Sequence, residues 1–255
     1  MRSILLILLL AAAIGARAQE QEETVITSVV VPVVGSVLGP NAVIWKTDVE
    51  LVNDFPSDTT VSLMLPTAPE QPVIVTTLGP GGRVRFADVV GEAFGMDAVL
   101  SPLLVKTLGR RSISIRATVY GLRDGKLIPP QPIPIDYGPS YFPQRVLDGL
   151  SFNDARRTNV GLANLGEQPA EFTLALQRLP GRNLAISRVV LPPSSLWHDA
   201  VQAMFPMITK GDDFTVVVET SSRETHVYAS VIENETSSAK FVRARVGSAT
   251  VATRP

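Results

Sequence analysis

Apolar and polar residues alternate with a period of two over much of the chain. Val49, Leu51 and Asn53 alternate with Asp48, Glu50 and Val52, and Val61, Leu63 and Leu65 with Ser62 and Met64. Val160 and Leu162, then Phe172, Leu174 and Leu176, repeat the pattern further on. Successive strand side chains point to opposite faces, so this alternation predicts strands with one face packed and the other in solvent. Turn-forming residues at 53–58 and 164–169 follow two of these segments and predict hairpins. Further strands are predicted at 72–77, 82–86, 103–107 and 112–120, then at 184–191, 213–220, 225–232 and 240–246. Leading strands are predicted near 25–34 and 145–151. Many short strands divided by Gly and Pro turns predict an all-β fold of antiparallel immunoglobulin-like or fibronectin-like sandwiches.

The chain also repeats itself. A shift of 111 positions carries Thr47 onto Thr158, Val49 onto Val160, Leu51 onto Leu162 and Asn53 onto Asn164. The same shift carries Leu63 onto Leu174, Asp88 onto Asp199, Phe94 onto Phe205 and Val105 onto Val216 without a gap. Two tandem copies of one folding unit are therefore expected. The expected boundaries are a signal peptide at 1–18, a first sandwich at 19–125 and a proline-rich connector at 126–144. A second sandwich at 145–246 and a disordered tail at 247–255 complete the chain. Each unit should hold one short helix capped by an aspartate, Asp88 or Asp199, whose carboxylate accepts free N–H groups of the first turn. Prolines 129, 130, 132, 134 and 139 cannot donate to a ladder, so the connector reads as a stiff spacer. Its Ile128, Ile133 and Ile135 would still pack along a sandwich edge.

The run V-P-V-V-G-S-V-L-G-P-N from Val31 precedes Trp45-x-Thr47-Asp48-x-x-Leu51-x-Asn53. Together they resemble a motif of uncharacterised secreted bacterial tandem β-sandwich proteins. The resemblance implies export and the sandwich fold, and transfers no functional residue. The second unit departs from it, with Arg156 in place of the tryptophan and Asn159 in place of the aspartate. At the level of fold alone, two immunoglobulin-like domains behind a signal peptide are similar to periplasmic pilus chaperones, which donate a strand to their subunits.

Composition narrows the setting. Arg2, the apolar run 4–14 and Ala16-Arg17-Ala18 read as a cleavable leader. That run is shorter than the about 20 residues a membrane helix requires. The expectation is an exported protein, periplasmic or extracellular, with no membrane span after cleavage. Cysteine is absent, which excludes disulfides, thiolate metal sites and a lipid-modified cysteine. The net charge of −1 excludes a strongly basic nucleic-acid binder, and the pairs Arg110-Arg111 and Arg156-Arg157 read as solvated surface.

Candidate chemistry is sparse. His198 and His226 are the two histidines. His198-Asp199 with Ser194 or Ser195 is the one candidate for a hydrolase, but the 111-residue shift places Ala87 at the histidine position. His226 reads as a surface residue of a hairpin strand. The carboxylate pairs Asp54 with Asp58 and Asp212 with Asp213 read as turn residues, since neither shows the spaced oxygens of a calcium loop. Gly79-Pro80-Gly81-Gly82 precedes a strand, so it is a turn and not a phosphate cradle. No metal or cofactor motif emerges. Trp45 and Trp197 break the internal symmetry, and Tyr137, Tyr141 and Phe142 cluster at the connector, so these five are the candidate binding residues. The expected role is non-catalytic: a binding, adhesion or structural module whose partner is a protein or glycan of the envelope or exterior.

Overall fold

The computed structural model describes residues 26–108, 113–137, 143–179 and 182–247. The leader, Tyr141, Phe142 and positions 248–255 of the tail lie outside them. The first half comprises β1 (Ile26–Leu38), β2 (Ile44–Asn53), β3 (Thr59–Met64), β4 (Ile74–Leu78), β5 (Arg83–Phe86), β6 (Val99–Leu108), β7 (Ile113–Arg123), β8 (Lys126–Pro132) and β9 (Asp136–Tyr137). The second comprises β10 (Gln144–Phe152), β11 (Arg156–Asn164), β12 (Ala170–Leu179), β13 (Arg182–Leu191), β14 (Ser195–Ala200), β15 (Gly211–Thr220), β16 (Thr225–Glu233), β17 (Ala239–Arg243) and β18 (Arg245–Val246). Among the described residues, helix is confined to short turns at Pro40–Ala42, Val89–Ala93 and Val201–Met204.

Among the described residues, every strand pairing is antiparallel. The first half forms a nine-stranded sheet along the path β4-β3-β6-β1-β2-β7-β8, with β5 on β2 and β9 on β1. The second forms a five-stranded sheet, β13-β12-β15-β10-β18, and a four-stranded sheet, β14-β11-β16-β17. One apolar cluster takes Val61, Leu63 and Val105 from one arm of the first sheet and Val49, Leu51 and Ile115 from the other. A second takes Phe172, Leu174 and Val216 from the five-stranded sheet and Val160, Leu162 and Val227 from the four-stranded one.

The two halves share seven pairings; the β1–β2 pairing that joins the first half into one sheet has no counterpart among the described residues of the second. β1–β6, β3–β6, β3–β4, β2–β7, β2–β5, β7–β8 and β1–β9 recur as β10–β15, β12–β15, β12–β13, β11–β16, β11–β14, β16–β17 and β10–β18. The internal offset is not constant, however. Leu63 lies opposite Val105, while Leu174 lies opposite Val218, so the counterpart of Val105 is Val218 and not Val216. Val49 lies opposite Phe86, while Val160 lies opposite Asp199. The second half has gained two residues before β13, and the ungapped alignment of Asp88 with Asp199 is corrected accordingly.

The repeated motif is explained by what its residues hold together. Thr47 Oγ1 accepts from Gly35 N at 3.0 Å, and Thr158 Oγ1 accepts from Ser151 N at 3.2 Å, each tying the second strand of its half to the first. Asn53 and Asn164 are fully buried at the strand end. Asn53 Nδ2 donates to the carbonyls of Ser57, Leu78 and Gly79 at 2.8, 2.8 and 3.0 Å. Asn164 Nδ2 donates likewise to Gln168, Leu191 and Pro192 at 2.8, 3.2 and 2.9 Å. A buried amide that satisfies two turns at once costs little to bury and much to lose.

Two expectations about the connector change. Residues 126–132 are not a free spacer: β8 pairs with β7, Gly121 opposite Ile128 and Val119 opposite Gln131. The register slips where Pro129-Pro130 fall, and β8 lies at the sheet's edge, where a missing N–H interrupts no further ladder. Ile128 and Ile133 are buried. Asp136 and Tyr137 then pair with Val30 and Val29 of β1.

Candidate functional site

The open end of the first apolar cluster meets the outer face of the four-stranded sheet. Phe241 of β17 packs into the first cluster. Between the halves lies a groove of about 250 Å³, lined from the first by Val37, Gly39, Trp45 and Leu100 and from the second by Arg157, Asn159, His198, Ser230 and Phe241. Strand alternation explains the second set: Val160 and Leu162 face the core, so Arg157 and Asn159 face outward.

Trp45 is held by missing side chains. A Cβ on Gly39 would lie 2.7 Å from its indole nitrogen, and one on Gly121, directly opposite in β7, 3.2 Å from its Cζ3. The indole therefore lies against bare backbone with the rest of it turned to the groove. A rigid ring in an apolar concavity is a platform for an aromatic, aliphatic or sugar face.

His198 is differently placed. Asn159 Nδ2 is 3.3 Å from its Nε2, and the Tyr228 hydroxyl is 2.8 Å from its Nδ1. With the Asn159 amide donating, the proton of the neutral ring sits on Nδ1 and is donated to Tyr228. Burial pushes the His198 pKa down to about 4, against the opposing charge of Asp199. Tyr228 is buried over Gly161, where a Cβ would fall 2.1 Å from its ring. Asp199 is exposed, on the strand face opposite His198, and Ser195 Oγ donates to Pro192 O at 2.6 Å. Among the described residues, the imidazole's hydrogen-bond partners are Asn159 and Tyr228, and neither Ser195 nor Asp199 meets it.

The remaining candidates separate. Trp197 lies opposite Leu162 and packs against the second core, so it does not reach the groove. The backbone of Tyr137 pairs with β1. Asp88 accepts from Gly91 N at 3.1 Å at the start of its helical turn, from Ser36 Oγ at 3.3 Å and from Lys46 Nζ at 2.5 Å. That hydrogen bond above all raises the Lys46 pKa. Asp199 is no cap: the second turn begins after Ala200 with no side-chain bond, and Asp199 Oδ1 accepts from Ala200 N at 2.7 Å. The two-residue gain puts Ala200-Val201 where the first half has Asp88.

Two positions that read as surface, His226 and Arg157, are covered in the structure. His226 is buried, not surface, with Nδ1 3.4 Å from Asp136 Oδ2, and Arg243 Nε donates to Asp136 Oδ1 at 3.1 Å. Burial works to raise the Asp136 pKa, but His226, Arg243 and Arg145 outweigh it and hold the carboxyl below its usual range. Arg157 is half-buried, unlike solvated Arg156. Asp54 accepts from Ser114 Oγ and Asp212 from Asn153 Nδ2, and among the described residues no group of three His, Cys, Asp or Glu is placed to hold a metal.

No family model and no curated protein matches the chain. Among solved structures, Bacteroides uniformis beta-glucuronidase 2 covalently bound to cyclophellitol-6-carboxylate aziridine aligns over 78% of this chain and 24% of that one. The identity is 8% and the TM-score 0.17, a likeness that carries no argument.

Proposed function

We propose that the chain is an exported, non-catalytic binding module of two tandem immunoglobulin-like β-sandwich domains, with the groove between them as its contact surface. The observation that carries this reading is Trp45, seated on Gly39 and Gly121 and facing a largely apolar concavity. The recurrence of seven strand pairings supports two copies of one domain. The engaged ring nitrogens of His198 argue against hydrolysis. The test is capture of envelope components by tagged mature protein. Trp45→Ala should abolish specific capture with the fold intact, and Asp199→Ala, exposed and outside the groove lining, should leave it unchanged. Capture indifferent to Trp45, or a hydrolytic turnover lost in His198→Ala, overturns the reading.

One observation favours a second reading, that of a chaperone-like strand donor. β13 is an edge strand of ten residues with no proline, and exposes Leu184, Ile186 and Val190. Among the described residues the other edges are blunted: β8 by its prolines, β4, β5, β9, β14, β17 and β18 by their shortness. An Ile186→Pro variant that loses a stoichiometric complex while Trp45→Ala keeps it would favour this reading.

A further inference from the structure

The two halves serve as internal controls for each other. Lys46 in β2 and Arg157 in β11 occupy the same position of the repeat, immediately before Thr47 and Thr158. Lys46 has a carboxylate, Asp88, at 2.5 Å. Arg157 has none: its Nη1 donates to the neutral Asn234 Oδ1 at 3.0 Å, and among the described residues no acid lies within ion-pair distance. The structural cause is the two-residue gain, which sets Ala200-Val201 where Asp88 stands. Only the half that lost its carboxylate turns this cation into the groove.

A half-buried guanidinium without a counter-charge bears a desolvation cost that an incoming anion would offset. Burial lowers the Arg157 pKa, the direction expected of an uncompensated cation. The groove beside it is apolar, with Val37, Trp45, Leu100 and Phe241 on its walls. The groove measures about 250 Å³. Since a dry cavity of about 150 Å³ accepts one benzene, this space fits about ten non-hydrogen atoms. We propose that the groove binds a small amphipathic carboxylate, its carboxylate on the Arg157 guanidinium and its apolar body against Trp45. Arg favours this arrangement because its planar fork meets both carboxylate oxygens.

The inference rests on the binding-module reading and has its own test. Octanoate, with 1-octanol as the neutral comparison, is titrated into full mature protein carrying Trp197→Phe, so that Trp45 is the only indole. Octanoate should give a saturable change in Trp45 emission, and Arg157→Gln should weaken it at least tenfold. Arg157→Lys, which keeps the charge and loses the fork, should fall between the parent and Arg157→Gln, and octanol should bind all three proteins alike and more weakly than octanoate binds the parent. Unchanged circular dichroism spectra and melting midpoints exclude unfolding as the cause of any loss. Equal binding of octanol and octanoate, or indifference to Arg157→Gln, overturns the assignment of an anion. No saturable response to octanoate overturns the ligand class. If octanoate fails while Trp45-dependent capture succeeds, the ligand class is wrong and the module stands. If octanoate binds while capture is indifferent to Trp45, the module reading is the one that fails.

Discussion

Replacing Asn53 by alanine should remove a large share of the first half's stability. Its amide is fully buried and serves five partners: the carbonyls of Ser57, Leu78 and Gly79, the Phe55 N–H at 3.0 Å and the Thr59 hydroxyl at 3.0 Å. Each buried group left without a partner costs about 1–3 kcal/mol, and the carbonyls keep a second lone pair. The N–H and the hydroxyl therefore dominate, and the loss should be about 4 kcal/mol, against a usual domain stability of about 5–15 kcal/mol. Asn164→Ala should cost about 1 kcal/mol less, because Ala170 stands where the first half has Thr59 and no hydroxyl is orphaned. Urea unfolding reads the effect, with Trp45 reporting the first half in Trp197→Phe protein and Trp197 the second in Trp45→Phe protein. Thr59→Ala alone should cost about 1 kcal/mol and add little to Asn53→Ala, since both remove one bond. A loss below about 1 kcal/mol for Asn53→Ala would refute the claim that the repeated motif is a structural staple.

Asp88→Ala should cost about 1 kcal/mol or more as a lost cap, while Asp199→Ala should stay within about 0.5 kcal/mol; equal losses by urea denaturation would contradict the shifted register. Gly161→Ala should destabilise more than Gly121→Ala in melting experiments, because its Cβ meets the fixed Tyr228 ring at 2.1 Å whereas that of Gly121 meets methyl groups of Val43 and Ile128 at 2.8 and 2.9 Å. Acid should act in two steps. The folded His198 pKa of about 4 lies below its unfolded value, so stability should fall by on the order of 3 kcal/mol as pH drops from about 6.5 to 4. Stability contributed by Asp136, whose folded pKa is lowered, is present above about pH 4 and is lost below it as the carboxyl protonates. His198→Gln should remove the upper slope in urea midpoints measured across pH, and a slope that survives would show that His198 is not its source.

Strands carrying clear alternation, such as β2, β3, β11 and β12, were legible from residue pattern because every second residue over 47–53, 59–63, 158–164 and 170–176 is buried. β14 was not: Ser195–Ala200 mixes Trp197 on the core face with His198 in a docked interface, so neither face reads as solvent. β8 was hidden by prolines, which exclude a central strand but not an edge. Trp45, which breaks the internal symmetry, lines the groove. Trp197 breaks the symmetry only in the ungapped register, which compares it with Phe86; strand pairing compares it with Val84, which also faces the core. Arg157 and His226 were illegible for a common reason: both lie on strand faces that a single domain would leave in solvent, and docking of the two halves buries them.

Site-specific photo-cross-linking in the native envelope tests the groove as a contact surface most directly. The probe is placed at Leu38, which is 73% exposed on the groove rim, and in a parallel protein at Ile186 on the β13 edge. The account predicts one dominant adduct from Leu38, lost in Trp45→Ala, and none from Ile186. An adduct from Ile186 alone, or none dependent on Trp45, would contradict it.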